Sequence, residues 1–195
     1  MRVVVVVAHP DPESFSHAIA STATASLTRA GHAVTVLDLY AEEFRAAMSH
    51  DERQAYHSDR PLLDPMAERH AGIVKRAEAL VFIYPTWWST VPAILKGWLE
   101  RVLVPGVGFV FDERQHVRRG LTDVRRVVGI STYGSTRLYV KALHDNGRRT
   151  LTRALRMNTA LFTRRSWLAL YETDNSSLAQ RQAFLKRVDQ KMRSI

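Results

Sequence analysis

The sequence of 195 residues contains no cysteine, which excludes disulfide bonds, thiolate metal sites and thiol redox chemistry. It also has no apolar run approaching the roughly 20 residues that cross a bilayer as a helix. The run at 3–8 is apolar but short, whereas a signal peptide needs a longer apolar region and a small-residue cleavage site. We therefore expect no membrane insertion and a cytoplasmic protein.

Acidic residues are scarce relative to basic ones. The chain has 28 Lys and Arg against 19 Asp and Glu, a formal net charge of +9. Such a balance raises the possibility of nucleic-acid binding. The basic residues, however, occur as scattered pairs rather than as a block interleaved with aromatics, and no helix-turn-helix or zinc-finger spacing is present. We therefore expect no nucleic-acid partner, and expect some of the charge to attract a small anionic substrate.

Strand and helix patterns alternate along the chain. Apolar runs predict five strands, at 3–8, 33–37, 80–84, 125–131 and 166–171. Helical patterns occupy most of the sequence between them, at 15–30, 66–77, 91–103, 138–155 and 176–193, with a short helix near 49–56 inside a charged excursion over 40–65. No linker or repeat divides the chain. The alternation predicts an α/β protein with a doubly wound sheet, built as a single domain over 1–195.

An aromatic loop follows the third predicted strand. Pro85 closes that strand, and Thr86, Trp87, Trp88 and Ser89 lead into an amphipathic helix whose start Ser89 or Thr90 could cap. The carboxyl ends of parallel strands are where open α/β sheets bind ligands. Two tryptophans at that edge predict a ligand contact rather than core packing alone.

The loop after the first strand has the features of an anion site. It opens a helix, so free backbone N–H groups and the positive helix end face outward. Ser14, Ser16 and His9 add side-chain donors, although Ser14 could equally be an ordinary N-cap. Neither Gly-x-Gly-x-x-Gly nor Gly-x-x-x-x-Gly-Lys-Ser/Thr is present, so a Rossmann dinucleotide site and a P-loop are not supported.

The same loop also resembles a different site. Its Ala-His-Pro-Asp sequence is similar to the first-strand motif of zinc-dependent N-deacetylases, in which a His and a second Asp bind the metal. Here Pro12 occupies the place of that second Asp, and no two histidines lie three residues apart. This chemistry is a remote alternative.

Small and hydroxyl residues follow the fourth predicted strand at 131–136, and such residues give backbone N–H groups close access to a ligand. This loop, the Tyr-Pro-Thr-Trp-Trp loop at 84–88 and the Val-Pro-Ala-Ile-Leu-Lys-Gly-Trp helix at 91–98 together resemble the flavodoxin-like NAD(P)H:quinone oxidoreductases. The resemblance implies a five-stranded parallel sheet of order 2-1-3-4-5 in three layers. It also implies a homodimer that passes hydride from NAD(P)H through FAD, with FMN as the alternative, to a quinone.

The resemblance also assigns roles to residues. Phosphate contacts fall to His9, Ser14, Phe15 and Ser16, and contacts with the flavin ring fall to Pro85, Thr86, Trp87, Trp88, Ser131, Thr132, Tyr133 and Gly134. Tyr133 stands where the family has glycine. Tyr139 and His144 would stabilise charge on the reduced flavin, and Glu100 would lie near the FAD adenine or simply pair with Lys96.

Two alternatives share this fold. Some relatives of similar size act as flavin-binding regulatory subunits of potassium-efflux antiporters, and this chain has no separate docking motif for such a partner. Azo- and nitroreductases use the same hydride chemistry with other acceptors. The residues do not decide between FAD and FMN or between NADH and NADPH.

Overall fold

The computed structural model describes residues 1–195, and its centre is a parallel sheet. Seven strands form, and their bounds are β1 Arg2–Val7, β2 Ala33–Asp38, β3 Ala79–Pro85, β4 Phe109–Phe111, β5 Val117–Arg119, β6 Arg126–Thr132 and β7 Arg164–Leu170. The five longer strands pair in parallel in the order β2-β1-β3-β6-β7, while β4 and β5 form a separate antiparallel hairpin. Counting only the strands of the sheet, this confirms the predicted order 2-1-3-4-5.

Helices cover both faces of the sheet. Their bounds are α1 Phe15–Arg29, α2 His50–Ala55, α3 Pro65–Lys75, α4 Ala93–Val102, α5 Arg137–Ala142, α6 Asn146–Arg149, α7 Leu155–Met157 and α8 Leu178–Arg193, with a π-helical segment Thr150–Ala154 joining α6 to α7. One apolar cluster lies on each face of the sheet. None of these helices is both long enough and apolar enough to cross a membrane.

The central strands are uninterrupted apolar runs because both of their faces are covered. All seven residues of β3 are buried, as are five of the six in β1. On one face, α1 packs against α8, where Arg29 pairs with Asp189 at 2.8 Å. Phe184 of α8 is buried there beside α1. The first and last helices thus jointly cover one side of the sheet.

Helix ends follow the predicted capping residues in most places. Ser14 accepts the amide N–H of His17 at the start of α1, and Gly31 follows the helix with φ at +79°, a conformation that favours glycine. The predicted cap of α4 is wrong. That helix begins after Pro92 with no side-chain cap, because Ser89 and Thr90 lie in a separate tight turn.

Two further features differ from the sequence-based expectation. The helix predicted over 138–155 is interrupted, since His144 and Asp145 adopt φ angles of +63° and +45° and end α5. The β4–β5 hairpin was not predicted, because strands of three residues are too short for their alternating pattern to be recognised in the sequence.

A buried ion cluster fixes the excursion over 40–65 to α4. Arg101 is 2% exposed and donates to the Glu52 carboxylate, to Asp64 at 2.6 Å and to the Arg45 carbonyl. Its guanidinium lies 5.1 Å from the centre of the Phe44 ring. The charged excursion is therefore held to α4 by this ion cluster as well as by apolar packing, in which Phe44 is buried.

A buried histidine lies beside this cluster. His70 of α3 is fully buried and accepts the Trp98 indole N–H at Nδ1, 3.0 Å away. Its Nε2 lies 3.1 Å from Glu42 and 2.9 Å from the Arg69 guanidinium, and its ring stacks on Phe44. Since Nδ1 accepts a hydrogen bond, the imidazole is neutral with its proton on Nε2.

Candidate active site

Three loops meet at the carboxyl edge of the sheet. The Ala8 amide donates to the Ile83 carbonyl at 3.0 Å, which places the loop after β1 beside the end of β3. The Thr86 amide donates to the Thr132 carbonyl at 2.8 Å, which joins the loops after β3 and β6. The parallel pairing of the strands therefore brings together the segments that the sequence singled out.

The loop after β1 is held by hydrogen bonds from its own amides and offers a histidine as a donor. Asp11 donates its amide to His9 Nδ1 at 3.0 Å, and Glu13 donates its amide to the Asp11 carboxylate at 2.8 Å. Burial lowers the pKa of His9, so the neutral imidazole is favoured. With Nδ1 accepting, the proton resides on Nε2, which is left to donate to a ligand.

The start of α1 has two free backbone donors. The amides of Phe15 and Ser16 donate to no acceptor in the protein. The Ser14 hydroxyl caps the helix and also contacts His17 Nδ1 at 3.1 Å, so it is already engaged. The Phe15 ring lies against Phe184, which leaves only its amide for a ligand. This geometry suits an oxyanion such as phosphate.

The tryptophan loop is a strained two-residue turn. The amide and carbonyl of Trp87 exchange hydrogen bonds with those of Thr90, at 3.2 and 3.0 Å. Between them Trp88 and Ser89 have φ angles of +47° and +59°, a pair that usually requires Asn-Gly. The Trp88 side chain is 98% exposed. Strain of this kind persists where the surroundings impose it, which is most often at functional sites.

The loop after β6 is anchored by a buried tyrosine. Tyr133 donates its hydroxyl to the Asp145 carboxylate at 3.0 and 3.1 Å and stacks on Tyr171. Burial and the charge of Asp145 raise the pKa of Tyr133, so its phenol stays protonated. Asp145 also caps α6 by accepting the Arg148 amide. Tyr133 therefore forms part of the wall of the site, and its hydroxyl is not free to bind a ligand.

A cleft of about 270 Å³ lies between the second and third loops. It is lined by Thr86, Trp88, Ser89, Tyr133, Gly134, Ser135, Tyr139, Val140, Leu143 and Asp145. Five predicted site residues thus share one cleft, and Tyr139 presents a half-exposed phenol to it. Asp145 was missed by the sequence reasoning, although an Asp before Asn-Gly is a recognisable turn and cap signal.

The remaining predicted residues lie around this cleft or away from it. Ser131 and Thr132 are buried in β6, and the Ser131 hydroxyl contacts that of Thr86 at 2.8 Å. Pro85 is buried at the end of β3, and the ring of Trp87 lies 5.9 Å from that of His9. His144 lines a larger neighbouring groove instead. Glu100 pairs with Lys96 on the exposed side of α4 and lines neither cavity.

Comparison with known proteins decides the family. The Flavodoxin_2 family model, described as having a flavodoxin-like fold, matches residues 1–193. A ribosyldihydronicotinamide dehydrogenase [quinone] from Pongo abelii is 32% identical over 157 residues, which are 72% of this chain and 67% of that protein. The chain belongs to the flavodoxin-like NAD(P)H:quinone oxidoreductase family.

Solved structures agree with this assignment. An NAD(P)H:quinone oxidoreductase from Methanothermobacter marburgensis superposes with a TM-score of 0.81 at 27% identity, covering 100% of this chain and 96% of that one. An azoreductase from Bacillus anthracis superposes with a TM-score of 0.80 at 16% identity, covering 100% and 99%, and shows the shared fold alone. Membership of the flavodoxin-like family sets the zinc-deacetylase alternative aside.

Proposed function

We propose that this protein is a flavin-dependent NAD(P)H:quinone oxidoreductase. The observation that carries the proposal is the meeting, at one sheet edge, of free helix-start amides and an aromatic cleft. The first suits a phosphate and the second suits a planar ring, and a flavin nucleotide contains both. The family membership supports the same chemistry.

The residues fit such a cofactor. The amides of Phe15 and Ser16 and the Nε2 proton of His9 would hold its phosphate, and the cleft beside Trp88 and Tyr139 would receive its ring. We propose FAD, with FMN as the alternative. When bound, the flavin supplies the hydride relay between NAD(P)H and the acceptor.

The protein's own contribution is position and proton supply. The Tyr139 phenol borders the cleft and would stabilise negative charge on the reduced flavin, and its proton would then be available to the acceptor. Asp145 holds Tyr133 in place, so the cleft wall keeps its shape. With the flavin ring in this cleft of about 270 Å³, NAD(P)H and quinone would bind over it in turn, with ping-pong kinetics, and His144 remains a candidate beside it.

We also propose that the protein is a cytoplasmic homodimer. Three apolar side chains, Met157, Leu161 and Phe162, are 64%, 59% and 86% exposed on one stretch of chain. A second copy would cover them. Sedimentation of the purified protein at micromolar concentration tests this, and a monomeric mass would contradict it.

The test of the proposed function is an absorption spectrum of the purified protein, with any released cofactor identified by mass. We expect a flavin spectrum that bleaches on addition of NADPH and recovers on addition of a quinone. Protein that stays colourless after incubation with FAD and FMN would overturn the proposal. A panel of quinone, azo and nitro acceptors ranks the alternatives, and bleaching without acceptor turnover would favour the regulatory-subunit alternative.

Replacing Trp88 by glycine should separate stability from function. Glycine adopts φ near +47° without cost, so we expect the free energy of unfolding to rise by about 1 kcal/mol. Loss of the exposed ring should weaken flavin binding by roughly 3- to 10-fold, which corresponds to one aromatic contact. Urea unfolding and flavin fluorescence titration measure the two effects.

The matched control for this variant is Gln115→Gly. Gln115 also has a positive φ, +61°, but lies in the loop of the β4–β5 hairpin outside the cleft. It should gain similar stability and keep its flavin affinity. Equal flavin affinity in the Trp88→Gly variant would show that the strained turn serves no ligand.

A further inference from the structure

A large cationic groove adjoins the candidate cleft. It has a volume of about 1000 Å³ and lies between α5, the helical segment from α6 to α7, and β7. Six basic side chains line it, and we call it the arginine groove; they are Arg137, Lys141, Arg148, Arg149, Arg153 and Arg165. These residues come from four separate elements, so only the fold brings them together.

The charge of the arginine groove is not balanced by the protein. None of its six cations lies within ion-pair distance of a carboxylate, whereas eight other Lys and Arg residues of the chain do. Asp145 is the one carboxylate of the groove, and it accepts from Tyr133 and from the Arg148 amide. Six like charges around one hollow repel one another, and an anionic ligand would relieve that repulsion.

Part of the arginine groove is held in place by its floor. Arg165 donates to the Thr152 carbonyl at 2.9 Å, and the Arg148 guanidinium lies 5.9 Å from the centre of the Trp167 ring. Ordered guanidinium groups bind phosphate well because their paired N–H donors match its oxygens. The groove therefore has the chemistry of a phosphate site.

The arginine groove is continuous with the cleft beside Trp88 and Tyr139. Val140 and Asp145 line both cavities. A ligand whose flat ring binds over the flavin at the cleft could therefore extend its remaining length into the groove. A reduced nicotinamide dinucleotide has this form, with an uncharged ring at one end, a pyrophosphate in the middle and an adenosine at the other end. Six cations exceed what a pyrophosphate alone would need, and NADPH adds a 2′-phosphate.

We propose that the arginine groove binds the phosphates of NADPH, including the 2′-phosphate, and makes the protein selective for NADPH over NADH. This inference rests on the proposed function, because it takes the cleft as the place of hydride transfer. Its test is nevertheless independent of flavin and of turnover. The two nucleotides 2′,5′-ADP and 5′-AMP differ only in the 2′-phosphate and can be titrated directly into the protein by calorimetry.

We expect wild-type protein to bind 2′,5′-ADP at least 10-fold more tightly than 5′-AMP. The double variant Arg149→Gln/Arg153→Gln should lose most of that ratio, because both side chains lie on the groove and outside the cleft. The control Arg53→Gln/Arg60→Gln removes the same charge from exposed positions that line neither cavity. This control should keep the wild-type ratio of binding between the two nucleotides. In turnover, the ratio of kcat/KM for NADPH over NADH should fall in parallel.

Equal binding of the two nucleotides, or an unchanged ratio in the groove variant, would overturn the inference. Displacement of 2′,5′-ADP by short duplex DNA at 150 mM salt would also overturn it and favour a nucleic-acid surface. The two proposals fail separately. Selective nucleotide binding by protein that takes up no flavin leaves the groove assignment intact, whereas quinone turnover with equal use of NADH and NADPH contradicts the groove assignment alone.

Discussion

Replacing Arg101 by methionine is expected to lower the free energy of unfolding by about 3–5 kcal/mol. Methionine retains the packing of the side-chain stem near Phe44, so the loss of stability measures the effect of removing the charge. Without the guanidinium, the carboxylates of Glu52 and Asp64 remain close together, and Glu52 is 6% exposed. Arg45, which is half-exposed, is the only other cation paired with them.

The matched control for Arg101→Met lies on the same helix. Lys96→Met removes an exposed i,i+4 pair with Glu100 and should cost less than about 0.5 kcal/mol. Adding Glu52→Gln and Asp64→Asn to Arg101→Met should restore at least half of the loss. Both amides preserve the helix caps made by those residues while removing the stranded charge. Urea unfolding of the four proteins measures this, and equal costs for the two single variants would contradict it.

Acidification should destabilise the protein through His70. Burial, and then the neighbouring Arg69, lower the pKa of His70 to about 4, below the ordinary value of 6.5. The unfolded chain therefore takes up a proton before the folded protein does. Stability from this group is complete above about pH 6.5 and is lost as the pH falls toward 4, by about 3 kcal/mol. Protonation would also place an N–H group against the Trp98 indole N–H.

The measurement is the free energy of urea unfolding between pH 7.5 and 4.5. In His70→Gln the amide can accept from Trp98 and donate to Glu42 without titrating, so most of the pH dependence should disappear. His57→Gln, at an exposed position, should retain it. Burial also lowers the pKa of His9, which accounts for a smaller residual slope. A flat wild-type profile would contradict the assignment.

The buried ion cluster acts in a lower pH range than His70. Burial acts to raise the pKa of Glu52, but hydrogen bonds from Arg101 outweigh it and hold that pKa below its ordinary value. The same balance applies to Asp64. Their contribution is therefore present above about pH 4.5 and is lost below it. A profile that stops at pH 4.5 therefore reports mainly on His70, and measurements below pH 4.5 add the contribution of the ion cluster.

The sheet could be predicted from sequence because its signals are local. The apolar runs of β1 and β3 are read directly, and an amphipathic stripe marks α4. The strand order came from the resemblance to a family rather than from the residues. Once that order is granted, the meeting of the loops follows from the rule that parallel strands end at one edge.

Other features depend on distant residues and could not be read in this way. The arginine groove draws its cations from four elements, so each looks like ordinary surface charge in the sequence. Tyr133 departs from the family's glycine, and only the structure pairs it with Asp145. Arg101 does lie three residues after buried Trp98, on the inner face of α4, but its two carboxylate partners are 37 and 49 residues away.

The packing of α1 against α8 has a consequence for synthesis on the ribosome. Until α8 has emerged, the sheet face formed by Val5 and Val81 is covered by α1 alone, although β1 and β3 are made much earlier. An all-parallel sheet has few sequence-local contacts and forms slowly. The nascent chain would therefore display part of a valine-rich surface for most of its translation, which is the kind of surface that chaperones bind.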